Sequence, residues 1–299
     1  MKITMRHLQV FDAVARLGSV TSAAESLRMS QGAASTALRD LQIILGRPLF
    51  AHVRGRPLQL TEEGRRLKPM VYSILHQVDD IGRVLETELS GWIVIGATTL
   101  MAETALPEIC VKFRRLYPKV NIKIEIGSQS ELIQRIENME LETALIEGRL
   151  HQQTIECTPW REEELWLVTA PTHPLAQRSN LRIRDLADMT WYTRELLAST
   201  TVRLRVTVQE SAGIPPGSIE AGSDHSLRMA VIAGDGIGCL SRDLVEDDVE
   251  VGRLVRLDVR DFHLTRGLNL VRPKGVWRRQ LAQVFDKFLL EQGVPQMKL

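Results

Sequence analysis

At 299 residues, with 44% hydrophobic and 25% charged side chains, the chain has the composition of an ordinary soluble protein and the length of two or three domains. It holds no run of about eighteen apolar residues, which excludes a helical membrane span, and its first residues mix polar and apolar types, unlike a signal peptide. The net charge of +1 conceals an uneven split: residues 1–60 carry eight basic against three acidic side chains, so a basic head precedes a body with an acidic excess, as suits a phosphate-facing end.

Leu8, Phe11, Val14 and Ala15 recur at helical spacing and predict a first helix, ended by Gly18. Thr21 is the expected N-cap of a second helix, with Ser22 and Glu25 at capping-box spacing and Ala23, Ala24 and Leu27 turned to the core. Ser30 caps a third helix that buries Ala34, Leu38, Leu41 and Leu45 and shows Gln31, Ser35, Thr36 and Arg39 on its other face. Short hydrogen-bonding side chains plus one cation are the chemistry that reads base edges and grips phosphate. Three helices in this order have the layout of a helix-turn-helix, whose second motif helix enters a DNA major groove. Ser30, Gln31, Ser35, Thr36 and Arg39 are therefore the candidate DNA contacts. Pro48-Leu49-Phe50 and Leu58-Gln59-Leu60 then flank a basic tip, a two-stranded wing whose Arg54 and Arg56 reach a flanking phosphate or the minor groove.

Thr61 caps the next helix, and Glu62 and Glu63 complement its dipole. Leu67, Val71, Ile74, Val78, Ile81 and Leu85 follow at alternating steps of four and three, a heptad seam that asks for a partner helix. Pro69 is the one departure from a clean helix interior. A dimer that sets two heads on a two-fold DNA site follows. Ser90-Gly91 marks a hinge.

Beyond it, Trp92 to Ala97 is an apolar run fit for a buried parallel strand. A helix carrying Ile109, Val111, Phe113 and Leu116, a strand of alternating Val120, Ile122, Ile124 and Ile126, a helix from Ser130 to Met139 and a strand at Thr143–Ile146 follow. Such alternation predicts an α/β sheet. Leu165–Val168 opens a second half, and Gly267–Val271 with a helix from Val276 to Leu290 returns after it. In open α/β sheets, ligands lie beyond the carboxyl ends of strands, where helix N-termini offer free N–H groups. Thr98, Thr99, Ser128, Gln129, Glu147, Thr200, Thr201, Ser223 and Asp224 stand at such places, and together they favour an anion or a small polar molecule.

Cys110, Cys157 and Cys239 are odd in number and far apart, as in a protein of the reducing cytoplasm without disulfide or zinc site. A redox response through them is the alternative to a ligand response. None of the seven histidines pairs at metal spacing, and no nucleophile-elbow or phosphate-loop motif occurs, so neither an enzyme nor a bound metal or cofactor is expected.

The runs from Leu8-Gln9-Val10-Phe11 through Ala23-Ala24, Ser30-Gln31, Ala33-Ala34-Ser35 and Leu45–Phe50 to Leu60–Gly64 resemble the LysR-type transcriptional regulators, and the resemblance extends over essentially the whole chain. It departs at Thr36, where many members carry arginine, and at Gly32, where proline is common. It implies a winged helix-turn-helix over 1–60, a linker and dimerisation helix over 61–90 and a two-lobed, periplasmic-binding-protein-like α/β effector domain over 91–299. Lobe I would take about 91–161 and 266–299, and lobe II about 162–265. It also implies double-stranded DNA and a small effector as partners, and homodimers that pair into tetramers. Ile95–Thr99, Leu106-Pro107-Glu108, Glu125–Gly127, Leu145–Gly148 and Gly236–Arg242 resemble the sulfur-metabolism branch of that family, the CysL- and YeiE-like proteins, which implies a small sulfur oxyanion as effector.

Overall fold

The computed structural model describes residues 2–51, 57–83, 88–148, 150, 152–195, 199–209 and 219–293. Three helices, α1 (Met5–Leu17), α2 (Val20–Ser26) and α3 (Gln31–Leu45), close on a core of Phe11, Val14, Ala23, Ala34 and Leu41. Gly18 ends α1 in the left-handed region, at φ 67°, where its N–H donates to the Val14 carbonyl at 2.9 Å. Ser19, not Thr21, caps α2, its hydroxyl accepting from the Ser22 N–H at 3.3 Å. With α1 closed at Gly18, Ser19 is already extended, and Thr21 falls inside the helix. Ser30 caps α3 as expected, accepting from the Ala33 N–H at 3.2 Å. Leu45, expected inside, is exposed at the end of α3, while Ala37 joins the buried face.

The strands β1 (Phe50–Ala51) and β2 (Gln59–Leu60) pair antiparallel at the base of the expected wing. Its tip, with Arg54 and Arg56, lies outside the described residues. The long helix α4 (Glu62–Arg83) is capped by the Thr61 hydroxyl, which accepts from the Gly64 N–H at 3.0 Å. Gly64 lets α4 lie against the head, since a Cβ there would collide with the Leu49 carbonyl oxygen. The heptad seam divides. Leu67 and Val71 turn into the head's core, whereas Met70, Ile74, Val78 and Ile81 are exposed, Ile81 by 68%. Leu85 lies outside the described residues. The helix runs through Pro69.

The body is one mixed sheet. Its first part comprises β3 (Gly91–Ala97), α5 (Thr99–Glu103), α6 (Ala105–Leu116), β4 (Val120–Ile126), α7 (Gln129–Glu137) and β5 (Ala144–Glu147). The long strand β6 (Ile155–Thr169) then crosses to β7 (Trp191–Arg194), α8 (Ser199–Gln209), β8 (Ile219–Ala221), α9 (Asp224–Ala233), β9 (Ile237–Ser241), α10 (Arg242–Glu250) and β10 (Val255–Arg256). Finally β11 (Leu264–Pro273) crosses back, ahead of α11 (Gln280–Gln292). The strand order is β4-β3-β5-β11-β6-β9-β7-β8, with β10 on β6. Pairs at both ends are parallel, while β6 and β11 run antiparallel through the middle and join the two halves. One half is cored by Ile93, Ile95, Phe113 and Phe285, the other by Leu165, Leu167, Trp191 and Ile237.

Two helices differ from expectation. On α6 the buried face is Leu106, Ile109, Cys110 and Phe113, a strict i, i+3, i+4, i+7 set, which leaves Val111 and Leu116 exposed. The last helix begins at Gln280 rather than Val276, because the Arg279 N–H and guanidinium are drawn to Glu142, at 2.9 and 2.5 Å. These contacts also seat α4 on the body. The Trp277 N–H donates to the Ser73 hydroxyl at 3.1 Å, and Tyr72 lies against Glu142, which with burial raises its phenol pKa. No helix among the described residues is long and apolar enough to cross a membrane.

Candidate functional site

Two surfaces gather the residues that carry chemistry. On the head, Ser30, Gln31, Ser35, Thr36 and Arg39 form one exposed strip along α3. Ala34, Ala37, Leu38 and Leu41 on the opposite face hold the helix in place. Arg39 has no ion pair among the described residues, so its charge is free for an outside partner. The strip combines hydrogen-bonding side chains with one cation on the exposed face of a helix, the form that enters a major groove.

On the body, a cavity of about 550 Å³ opens between the halves of the sheet. Thr98, Thr99, Ser128, Gln129, Glu147, Thr200 and Asp224 line it, all at places named from the sequence. Thr201 and Ser223 stand behind the lining. The Thr201 hydroxyl donates to the Arg194 carbonyl at 3.1 Å, and Ser223 caps α9 by accepting from the Ser226 N–H at 3.0 Å.

Two helix N-termini at this cleft, those of α7 and α9, are not bare, whereas those of α5 and α8 carry no acidic residue in their first turns. The Glu131 carboxylate accepts from the Ser128 N–H at 2.8 Å and closes the start of α7. Asp224 sits in the first turn of α9. The chain's own carboxylates thus occupy positions that sequence reasoning offers to an anion.

Three charged lining residues were not among the candidates named from the sequence: Arg194, Glu195 and Arg266. Arg194 is held by Asp224 at 2.8 Å and by both oxygens of Glu195 at 2.9 Å. Arg266, 2% exposed, pairs with Glu163 from the neighbouring strand and donates to the Thr200 hydroxyl at 2.5 Å. The one available signal was Arg266 next to the Leu268–Val271 stretch of a crossing strand, where burial demands a counter-ion. Burial pushes the Glu147 carboxyl above the usual carboxylate range, although Arg266 pulls the other way.

The cysteines do not join either surface. Burial pushes the thiols of Cys110 and Cys239 up to about 12, away from the reactive thiolate, and Cys157 is half-buried. No group of residues suited to hold a metal ion occurs among the described residues.

Residues 5–65 match the family of bacterial regulatory helix-turn-helix proteins of the lysR type, and residues 86–293 match the LysR substrate binding domain. The regulator YeiE of Escherichia coli K12 is 32% identical over 289 residues, covering 97% of each chain. CysL of Bacillus subtilis is 27% identical, covering 88% of this chain and 89% of its own. These are the two proteins of the branch resemblance. A full-length OxyR structure from Pseudomonas aeruginosa superposes with a TM-score of 0.76 at 17% identity, covering 98% of this chain and 95% of that one, which shows the shared fold.

Proposed function

The chain belongs to the LysR family of bacterial transcriptional regulators, and from that premise we propose how its parts divide the work. It is a DNA-binding regulator that responds to a small polar or anionic metabolite in the cleft of its two-lobed domain. The head, 1–60, reads duplex DNA with α3, where Gln31, Ser35 and Thr36 address base edges, Ser30 and Arg39 address phosphate, and Arg54 and Arg56 address the flank. The single observation that carries this reading is the exposed strip on α3, with its cation unpaired among the described residues.

The segment 61–90 joins two copies. The exposed row Met70, Ile74, Val78 and Ile81 on α4 is an apolar stripe in want of a cover, and a second copy's α4 is its natural one. Dimers pair into tetramers, and the regulator works in the cytoplasm. The body, 91–299, binds the effector between its lobes. Closure of the cleft moves the body beneath α4 through the Tyr72, Glu142 and Arg279 contact, and so biases the spacing of the two heads.

A mobility-shift titration tests both halves. Wild type should bind a promoter fragment next to its own coding region, with affinity falling steeply as salt rises. Thr99→Trp together with Ser128→Trp should abolish the effector's influence on that shift. An effector response that survives in the double variant places the effector elsewhere.

A further inference from the structure

The class of effector can be read from charges that meet on the cleft floor. The strands β5, β11 and β6 lie side by side, and across them Glu147, Arg266 and Glu163 form a row. Arg266 stands opposite Glu163, and Leu268, two residues on, stands opposite Glu147. Arg266 and Glu163 are buried and neutralise one another, and the Ser241 hydroxyl donates to the same Glu163 carboxylate at 2.5 Å.

Two groups in this row are incompletely matched, for Glu147 is met by the Thr98 hydroxyl and its own backbone but by no ion pair. The Nη2 of Arg266 is buried without an acceptor among the described residues. A buried donor left so is costly, and native proteins keep few of them without reason. Glu147, 8% exposed, has no ion-pair partner among the described residues. The other cation of the lining, Arg194, is already claimed by Asp224 and Glu195. An anion with no amine would satisfy Arg266 and leave Glu147 without a cation, beside Asp224 and Glu195. A bare cation would satisfy Glu147 and leave Nη2 of Arg266 without an acceptor.

Resting on the assignment of this cleft as the effector site, we propose that the effector is a small zwitterion of amino-acid type, its ammonium taken by Glu147 and its carboxylate by the free Nη2 of Arg266. Diagonal neighbours on adjacent strands stand about 7–8 Å apart at the backbone, close enough for one short ligand to reach both side chains. The cavity of about 550 Å³ leaves room for a side chain against Thr99, Leu100 and Ile133.

The proposal has a pH signature. The charged groups around Glu147 are Arg266 from β11, Glu163 from β6, Asp224 from α9, and Arg194 with Glu195 at the end of β7; α5 and α7 bring none to the lining. Burial favours the protonated Glu147 in the empty cleft. An arriving ammonium releases that proton, so zwitterion binding tightens as pH rises. An oxyanion that uses the protonated carboxyl as a donor weakens as pH rises.

The test is thermal shift and calorimetry on the full chain with the standard L-amino acids, β-alanine and γ-aminobutyrate, against acetate, sulfate, sulfite and phosphate. At least one zwitterion should raise Tm and bind more tightly at higher pH. Its N-acetyl and carboxamide derivatives, and Glu147→Gln with the parent, should each bind roughly ten- to a hundred-fold more weakly. A panel in which no zwitterion binds, or in which an amine-free anion binds as tightly and weakens with pH, overturns the proposal. If that anion is also lost from the Thr99→Trp, Ser128→Trp variant, the cleft stands and only the zwitterion falls. If it is retained there, the cleft assignment falls too.

Discussion

Arg39 on the head and Arg266 in the body are the same residue type put to opposite uses. Arg39 is exposed and meets no carboxylate among the described residues, so folding spends nothing to hold it and its charge acts outward. Arg266 is sealed in a sheet, paired with Glu163 and tied to Thr200, and only one of its nitrogens faces an unmet need. The lesson is that a surface which must meet varied duplexes keeps its groups free and cheap. A cleft that must recognise one small molecule builds its groups into the core, where low dielectric sharpens every match and every mismatch.

The sharpest way to break this contrast is to truncate both arginines and measure stability. Arg266→Ala leaves Glu163 buried without its partner, and chemical denaturation should show a loss of about 3–5 kcal/mol. Arg39→Ala should change stability by no more than about 0.5 kcal/mol. Comparable losses at the two sites would erase the distinction. In DNA binding the order reverses: Arg39→Ala should weaken binding to all sequences and lower the salt slope by about 1, whereas a folded Arg266→Lys protein should keep the wild-type slope.

Gln31→Ala should act more narrowly. It should relax preference at one base pair, at a cost of about 1–3 kcal/mol of discrimination, with little change in non-specific affinity. A binding-site selection experiment reads this directly. The smallest effect belongs to Glu147. Its carboxyl titrates above the usual range because it is buried, so the folded state holds a proton that the unfolded state has lost. Stability therefore falls as pH rises from the ordinary carboxylate range up through the raised value. Glu147→Gln should remove that slope and stabilise the ligand-free protein at neutral pH, as melting curves across pH would show.

The head was legible in the sequence because its logic is local. Helical periodicity, Ser30 as a cap and Gly18 as a stop all lie within a few residues of what they control. The errors were local too. Ser19 outcompeted Thr21 as a cap because Gly18 had already turned the chain, and Leu45 lay one turn too far to reach the core. On α4 the seam was read correctly as apolar, but a heptad count does not reveal that Leu67 and Val71 face the head while Ile74, Val78 and Ile81 do not.

The cleft was legible only at its rim. Thr98 and Ser128 follow strands and precede helices, and Asp224 opens one, a pattern visible in one dimension. Its floor was not visible. Glu147 and Arg266 are separated by more than a hundred residues and meet only because β11 returns between β5 and β6. That Glu131 and Asp224 already occupy two helix N-termini also depends on side-chain geometry that spacing does not carry.

The most direct test of the central claim is a salt titration of binding to the promoter fragment beside the chain's own coding region, with wild type and Arg39→Ala compared at known oligomeric state. Wild type should bind as a dimer or tetramer with a steep negative salt slope, and the variant should bind more weakly with a shallower one. A monomeric protein that ignores the fragment at low ionic strength, or a variant with the wild-type slope, would contradict the assignment of α3 as the DNA-reading element.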